Sequence, residues 1–164
     1  MPEDLDDLLQ RGYRYALSLA HEASAAEDVL QDAWVGLLRR GGPFHVGYLF
    51  SAIRNRWVDL QRRRKRLVFE SIEGVAAGGE MHENLVTFPT AAALRRERGA
   101  LAGALGKLRG EEREALFLAA VEGYTVSEIS ELLHRPLGSV SSLLRRGREK
   151  LRTALERSSK EVRP

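Results

Sequence analysis

An all-α protein built from two small helical domains is the fold class this sequence predicts. Three observations carry the prediction. Apolar residues recur at helical spacing along both ends of the chain. Two stretches, Ser24–Glu27 and Thr125–Glu128, have the Ser/Thr-x-x-Glu pattern of a capping box, in which each side chain satisfies a backbone N–H at a helix start. Between them, residues 67–90 lose any sustained period and hold Gly74, Gly78 and Gly79, which reads as a linker. With 164 residues, 43% hydrophobic and 30% charged, the chain suffices for one domain or two very small ones.

Taken in order, Leu5, Leu8, Leu9, Tyr13, Ala16, Leu17 and Ala20 predict a first amphipathic helix over Asp4–His21. The capping box at Ser24 opens a second, with Val29, Leu30, Ala33, Trp34, Leu37 and Leu38 as its core stripe and Asp28, Gln31, Asp32 and Val35 off it. Gly41-Gly42-Pro43 stops that helix. A short loop, Phe44–Gly47, leads to a long helix over Tyr48–Arg66. Its core face carries Leu49, Ile53, Trp57 and Leu60, with Phe50 beside them. Its opposite face carries Ser51, Asn55, Val58, Arg62 and Lys65. The linker then spans up to about 75 Å if extended at about 3.3 Å per residue.

The period returns at Ala91. Leu94, Leu101, Leu105 and Leu108 mark one helix, and Glu111–Glu122 a second, which Gly123 ends in a left-handed conformation. A helix capped by Thr125 ends near Leu133, and a new one starts near Pro136, which fits only a first helical turn. This last helix runs to about Leu155, and the tail Arg157–Pro164 frays. On it Val140, Leu143, Leu144, Gly147 and Leu151 share one arc, while Ser139, Ser142, Arg145, Arg146 and Glu149 face away. A helix–turn–helix with Ser and Arg on the outside of its second helix suits a DNA major groove, where Arg forks onto guanine and Ser and Arg hold phosphates.

Charge is segregated. The net charge of +3 resolves into −6 over residues 1–32, +8 over 33–66, −5 over 67–133 and +6 over 134–164. Basic zones point to a polyanion, acidic ones to a basic protein partner. There is no Cys, hence no disulfide and no thiolate metal site. The four His residues, His21, His45, His82 and His134, have no ligand spacing, and no phosphate loop, nucleophile elbow or HExxH occurs. An enzyme is therefore not expected, nor a cofactor or metal. The acidic N-terminus is the reverse of a secretory signal, and no apolar run approaches the roughly 18 residues that span a bilayer. The expectation is a cytoplasmic protein without membrane insertion. A conventional helix–turn–helix repressor or activator and a pure protein-interaction module remain alternatives on these features.

Three segments at this spacing resemble the extracytoplasmic-function (ECF) sigma factors of bacterial RNA polymerase. Ala26–Trp34 is similar to the family's second helix, Tyr48–Arg64 to its promoter-reading helix, and Leu108–Leu151 to its C-terminal helix–turn–helix, with Glu122–Ile129 and Pro136–Ser142 as close matches. The resemblance implies a sigma2-like domain over 1–66, a linker over 67–90, a sigma4-like domain over 91–158 and a tail over 159–164. It implies a bacterial, cytoplasmic transcription initiation factor. The implied partners are core RNA polymerase (the clamp helices of its largest subunit and the flap of the second-largest), promoter DNA and an anti-sigma factor. Asp28, Gln31 and Asp32 are the implied polymerase contacts. The implied minus-ten residues are Phe44, Ser51, Arg54, Asn55 and Arg62. The Asn55 amide pairs with a flipped base and Phe44 stacks on it, while Arg54, Arg56 and Arg62–Arg66 hold phosphates. The implied minus-thirty-five residues are Ser139, Ser141, Ser142, Arg145, Arg146 and Arg148. Two departures from the family stand out. The loop Gly41–Gly47 is short, and Leu143 occupies a place where the family often has Arg, which implies altered upstream base reading.

Overall fold

The computed structural model describes residues 4–71 and 92–161. Among them lie seven α-helices and no strand, and the chain divides into two compact units between Val86 and Thr87.

The first unit is a three-helix bundle of α1 (Leu5–Ala20), α2 (Ala23–Arg40) and α3 (Val46–Ser71), each packed on the other two. Asp4 caps α1 by accepting the N–H groups of Asp6 and Asp7. The buried face of α1 is Leu8, Gly12, Tyr15, Ala16 and Leu19. This is rotated from the predicted stripe, because Leu5 is exposed and Tyr13 and Leu17 are only half-buried. The cause is Gly12: a Cβ there would stand 2.7 Å from Leu49 Cδ2 and 2.9 Å from Leu30 Cδ1. Its missing side chain is where α2 and α3 press in, and the apolar pattern alone does not count glycine. Tyr15 stacks on Phe50 with centroids 4.3 Å apart at the centre of this core.

The start of α2 corrects the expected cap. Glu22, not Ser24, is the N-cap, and its carboxylate accepts from the N–H groups of Ser24 and Ala25 at 2.8 and 2.7 Å. Ser24 thus sits within the first helical turn. Ala26, Val29, Ala33 and Leu37 are buried, whereas Leu38, expected in the core, is 53% exposed. Gly41 ends α2 at φ 76°, as the Gly-Gly-Pro sequence predicts. α3 buries Leu49, Phe50 and Ile53, with Trp57 and Leu60 half-buried. It is longer than predicted at both ends, so the first five residues assigned to the linker are helical. The remainder of the expected linker, up to Thr90, lies outside the described residues.

The second unit holds α4 (Ala92–Gly106), α5 (Gly110–Ala120), α6 (Val126–Leu133) and α7 (Leu137–Glu161). α7 packs on all three others. Its core includes Leu108, Ala115, Leu118, Ile129, Val140 and Leu144. Leu101, expected inside, is exposed, and Ala104 takes the buried place. α5 ends at Ala120, two residues before the predicted boundary, leaving Val121 exposed. Gly123 nevertheless adopts φ 71°, and the Tyr124 N–H returns to the Leu118 carbonyl at 2.9 Å. The half-buried Arg113 guanidinium donates to the carbonyls of Leu105 and Leu108 at 3.3 and 3.4 Å, closing the C-terminal end of α4 and the turn after it. α7 continues past the predicted end at Leu155 to Glu161.

Candidate nucleic-acid and protein interfaces

The buried stripe of α2 turns Asp28, Gln31 and Asp32 to the exterior, where all three are exposed. The two carboxylates, Asp28 and Asp32, are not equivalent. Arg56 of α3 donates its Nε to Asp32 Oδ2 at 2.7 Å, and its second terminal nitrogen lies 2.6 Å from the same oxygen. A pair so exposed adds less than about 1 kcal/mol to stability. Its effect is orientation: it draws Arg56 toward α2 and joins the acidic face to the basic helix.

On α3, Asn55 is exposed and Ser51 half-buried. The Ser51 hydroxyl donates to the Gly47 carbonyl at 2.9 Å, so its proton is engaged within the helix. Arg54 is half-buried beside the bundle, whereas Arg62 is exposed, 3.9 Å from Asp59. Asn55 and Arg62, seven residues apart, share one face. Phe44 does not stand free in its loop. Its ring is half-buried and rests 5.6 Å from Trp34 on α2, tilted by 52°.

In the second unit, the Thr125 capping box forms as the sequence predicts. Glu128 N–H donates to Thr125 Oγ1 at 3.2 Å, and Thr125 N–H donates to Glu128 Oε2 at 2.7 Å. That backbone donor, with the Thr125 hydroxyl, lowers the Glu128 pKa. The turn closes on left-handed His134, φ 51°. There the Arg135 N–H donates to the Ser130 carbonyl at 3.0 Å, and the Ser130 hydroxyl donates to the Arg135 carbonyl at 2.5 Å. An ion pair between Arg135 and Glu111 ties the turn to α5. α7 then begins with Ser139 and Val140 donating to the Pro136 carbonyl.

Along α7, Ser141, Arg145, Arg146 and Arg148 are exposed, and Ser139 and Ser142 half-buried. Arg145 lies 3.4 Å from Glu149 one turn on. Leu143 is a different matter: only 4% exposed, it is a core residue and cannot reach a base edge. Leu143 therefore serves the packing of the second unit.

Sequence patterning missed the residue that anchors this helix. Glu112 of α5 is 1% exposed, and its carboxylate accepts Lys150 Nζ at 2.8 and 2.9 Å and the Arg109 N–H at 3.0 Å, with Arg146 Nε 3.7 Å away. Burial works to raise its pKa. The Lys150 hydrogen bond, the Arg109 N–H and the charge of Lys150 outweigh it, and the pKa falls below the ordinary 4.5. Glu112 sits three residues after Arg109 at a helix start, the one signal that hinted at a cap; nothing local announced cations from α7. Gly147, between them, lets α7 approach: a Cβ there would lie 2.9 Å from Leu116 Cδ1 and 3.2 Å from its Cγ.

Comparison with known proteins fits this arrangement. Residues 5–67 match the family described as Sigma-70 region 2, and residues 98–151 that described as Sigma-70, region 4. The chain is 31% identical over 161 residues to the ECF RNA polymerase sigma factor SigE of Mycolicibacterium smegmatis, covering 93% of this chain and 60% of the relative. It is 28% identical to EcfG of Rhodopseudomonas palustris, covering 86% of this chain and 77% of that one. It is 27% identical to SigM of Bacillus subtilis, covering 88% of both. The solved structure of the sigma factor RpoE from Bartonella quintana, in complex with the anti-sigma factor NepR, has a like fold. Its TM-score is 0.69 at 22% identity, with 93% of this chain and 94% of that one covered. The chain belongs to the sigma-70 family, within its extracytoplasmic-function class.

Proposed function

We propose that this chain is a bacterial transcription initiation factor that binds core RNA polymerase and directs it to promoters. It reads the minus-ten element with the first unit and the minus-thirty-five element with the second. The observation that carries the proposal is the match of two sigma-70 regions to the two helical units of one chain. No bond is made or broken; binding energy stabilises an opened duplex.

The exposed carboxylates of Asp28 and Asp32, with Gln31, form the contact to the clamp helices of the largest subunit. Asn55 pairs with a flipped minus-ten base, and Arg54, Arg62 and the following cations hold its phosphates. Ser51 supports that face through its backbone bond. Phe44 stacks on the base only by leaving Trp34. In the second unit, Ser139, Ser141, Ser142, Arg145, Arg146 and Arg148 face the upstream major groove. The same unit meets the flap of the second-largest subunit. By likeness to the anti-sigma-bound relative, an anti-sigma factor that covers the polymerase-facing surfaces controls its activity.

Run-off transcription with bacterial core polymerase, on templates drawn from the protein's own genome, tests the reading. Promoter-dependent transcripts are expected, and Asp28→Ala with Asp32→Ala should lower them by weakening core binding. Absence of any promoter-dependent transcript would sink the proposal.

A further inference from the structure

Arg146 stands at the border between two faces of α7. One turn before it lies Ser142, in the set proposed to read the upstream element. One turn after it lies Lys150, which reaches the buried Glu112 carboxylate. The backbone of α7 approaches Glu112 at the next residue, where a Cβ on Gly147 would lie 3.5 Å from Glu112 Cβ. Glu112 thus lies beside both cations. Its carboxylate is 3.7 Å from Arg146 Nε and 2.8 Å from Lys150 Nζ, while the Arg146 side chain is 46% exposed.

Two of the arginines proposed to face the groove are held in different ways. Arg145 has its carboxylate partner, Glu149, on its own helix, and both are exposed. Glu112 belongs to another helix, is 1% exposed and is fixed by the Arg109 N–H at 3.0 Å. Burial opposes its charge, yet the Lys150 hydrogen bond and the Arg109 N–H keep its pKa below the ordinary 4.5, so it is an anion at neutral pH. Nε is the guanidinium nitrogen nearest the backbone. An anion at Nε leaves the two terminal nitrogens, a pair that can fork onto guanine O6 and N7. A side chain held in this way loses less conformational freedom when it meets a base.

We propose that Glu112 is a positioning residue for upstream base reading: through Nε it orients the Arg146 guanidinium so that the terminal nitrogens fork onto one guanine of the element. Arg146 touches the base, and Glu112 acts only through Arg146. The proposal rests on the reading of α7 as the upstream-reading helix. It is measured as a ratio between templates, and a loss of folded protein lowers both templates alike and leaves the ratio unchanged.

The test assembles the full chain with bacterial core polymerase and lets pairs of promoter templates compete in single-round transcription. In each pair one upstream guanine is replaced by 7-deazaguanine, which still pairs with cytosine but lacks the N7 acceptor. The parent should favour guanine about fivefold at one position, the scale of one hydrogen bond. Arg146→Ala should bring that ratio to about one. Glu112→Met, which fills similar space without an acceptor, should lower it to about twofold, and Glu112→Gln, which keeps a carbonyl acceptor, should fall between Met and the parent. Lys150→Met disturbs the same buried carboxylate but leaves Arg146 its anion, and should keep the parent ratio. An unchanged ratio in either Glu112 variant, an equal fall in Lys150→Met, or a fall at every guanine would overturn the proposal. So would the lack of any position at which Arg146→Ala abolishes the preference. A parent that gives no promoter-dependent transcript would overturn the proposed function, and this inference with it.

Discussion

Glu112 holds a full charge where almost no water reaches it, and the helix proposed to read the upstream element rests on that charge. Replacing it with Gln keeps the shape but leaves Lys150 without its counter-charge. Because Lys150 is itself exposed, Glu112→Gln is expected to lower the stability of the second unit by about 1 kcal/mol, measured by urea unfolding. Its folded-state pKa lies below 4.5, so the contribution is present in full above that value and is lost as the pH falls through the folded-state value. As the pH falls below 4.5 the parent should therefore lose stability more steeply than the Gln variant; parallel curves would assign the acid sensitivity elsewhere. Leu143 makes the complementary case. Leu143→Arg puts an unpaired cation into a packed core and should destabilise the unit by about 3 kcal/mol. A folded variant with shifted promoter preference would contradict the burial argument. Exposed positions such as Asp28, Asn55 and Arg145 were legible from periodicity, since a helix face follows from spacing. Glu112 was not, because its partners lie 34 and 38 residues away on another helix.

At the scale of helices, each unit turns on a glycine at a crossing. Gly12 admits Leu49 and Leu30 against α1, and Gly147 admits Leu116 against α7. Gly147→Leu should overpack the α5–α7 contact and lower stability by about 2 kcal/mol, as read by thermal unfolding, even though leucine favours a helix more than glycine does. A gain in stability would show that α7 can move away freely. The turn between α6 and α7 was readable because its determinants are local: a Thr125–Glu128 box, a stop at Leu133 and Pro136 in the first turn of the next helix. The face of α1 was misread because an apolar count treats glycine as a gap, whereas here the gap is the contact. The extension of α3 was misread because a run of cations ending at Arg66 resembles a helix end, though the backbone bonds continue to Ser71.

For the whole molecule, two separate hydrophobic cores imply two separable stabilities. Gly12→Leu should lower one calorimetric transition and Gly147→Leu the other, and the double variant should show the sum to within about 0.5 kcal/mol. A single transition moved by both would refute that independence. Class and organisation were visible from composition, period and charge, whereas how each core closes needed coordinates.

Arg146 has an evolutionary consequence. It stands in the proposed base-reading set, yet it also neighbours a buried carboxylate that needs cations. A lineage that retargets its promoters can exchange Ser141, Ser142, Arg145 or Arg148 with little penalty to folding. Exchange at 146 carries a stability penalty unless position 112 changes with it. Covariation between 112 and 146, and variability at 141 and 148, is the pattern this geometry imprints on descendants.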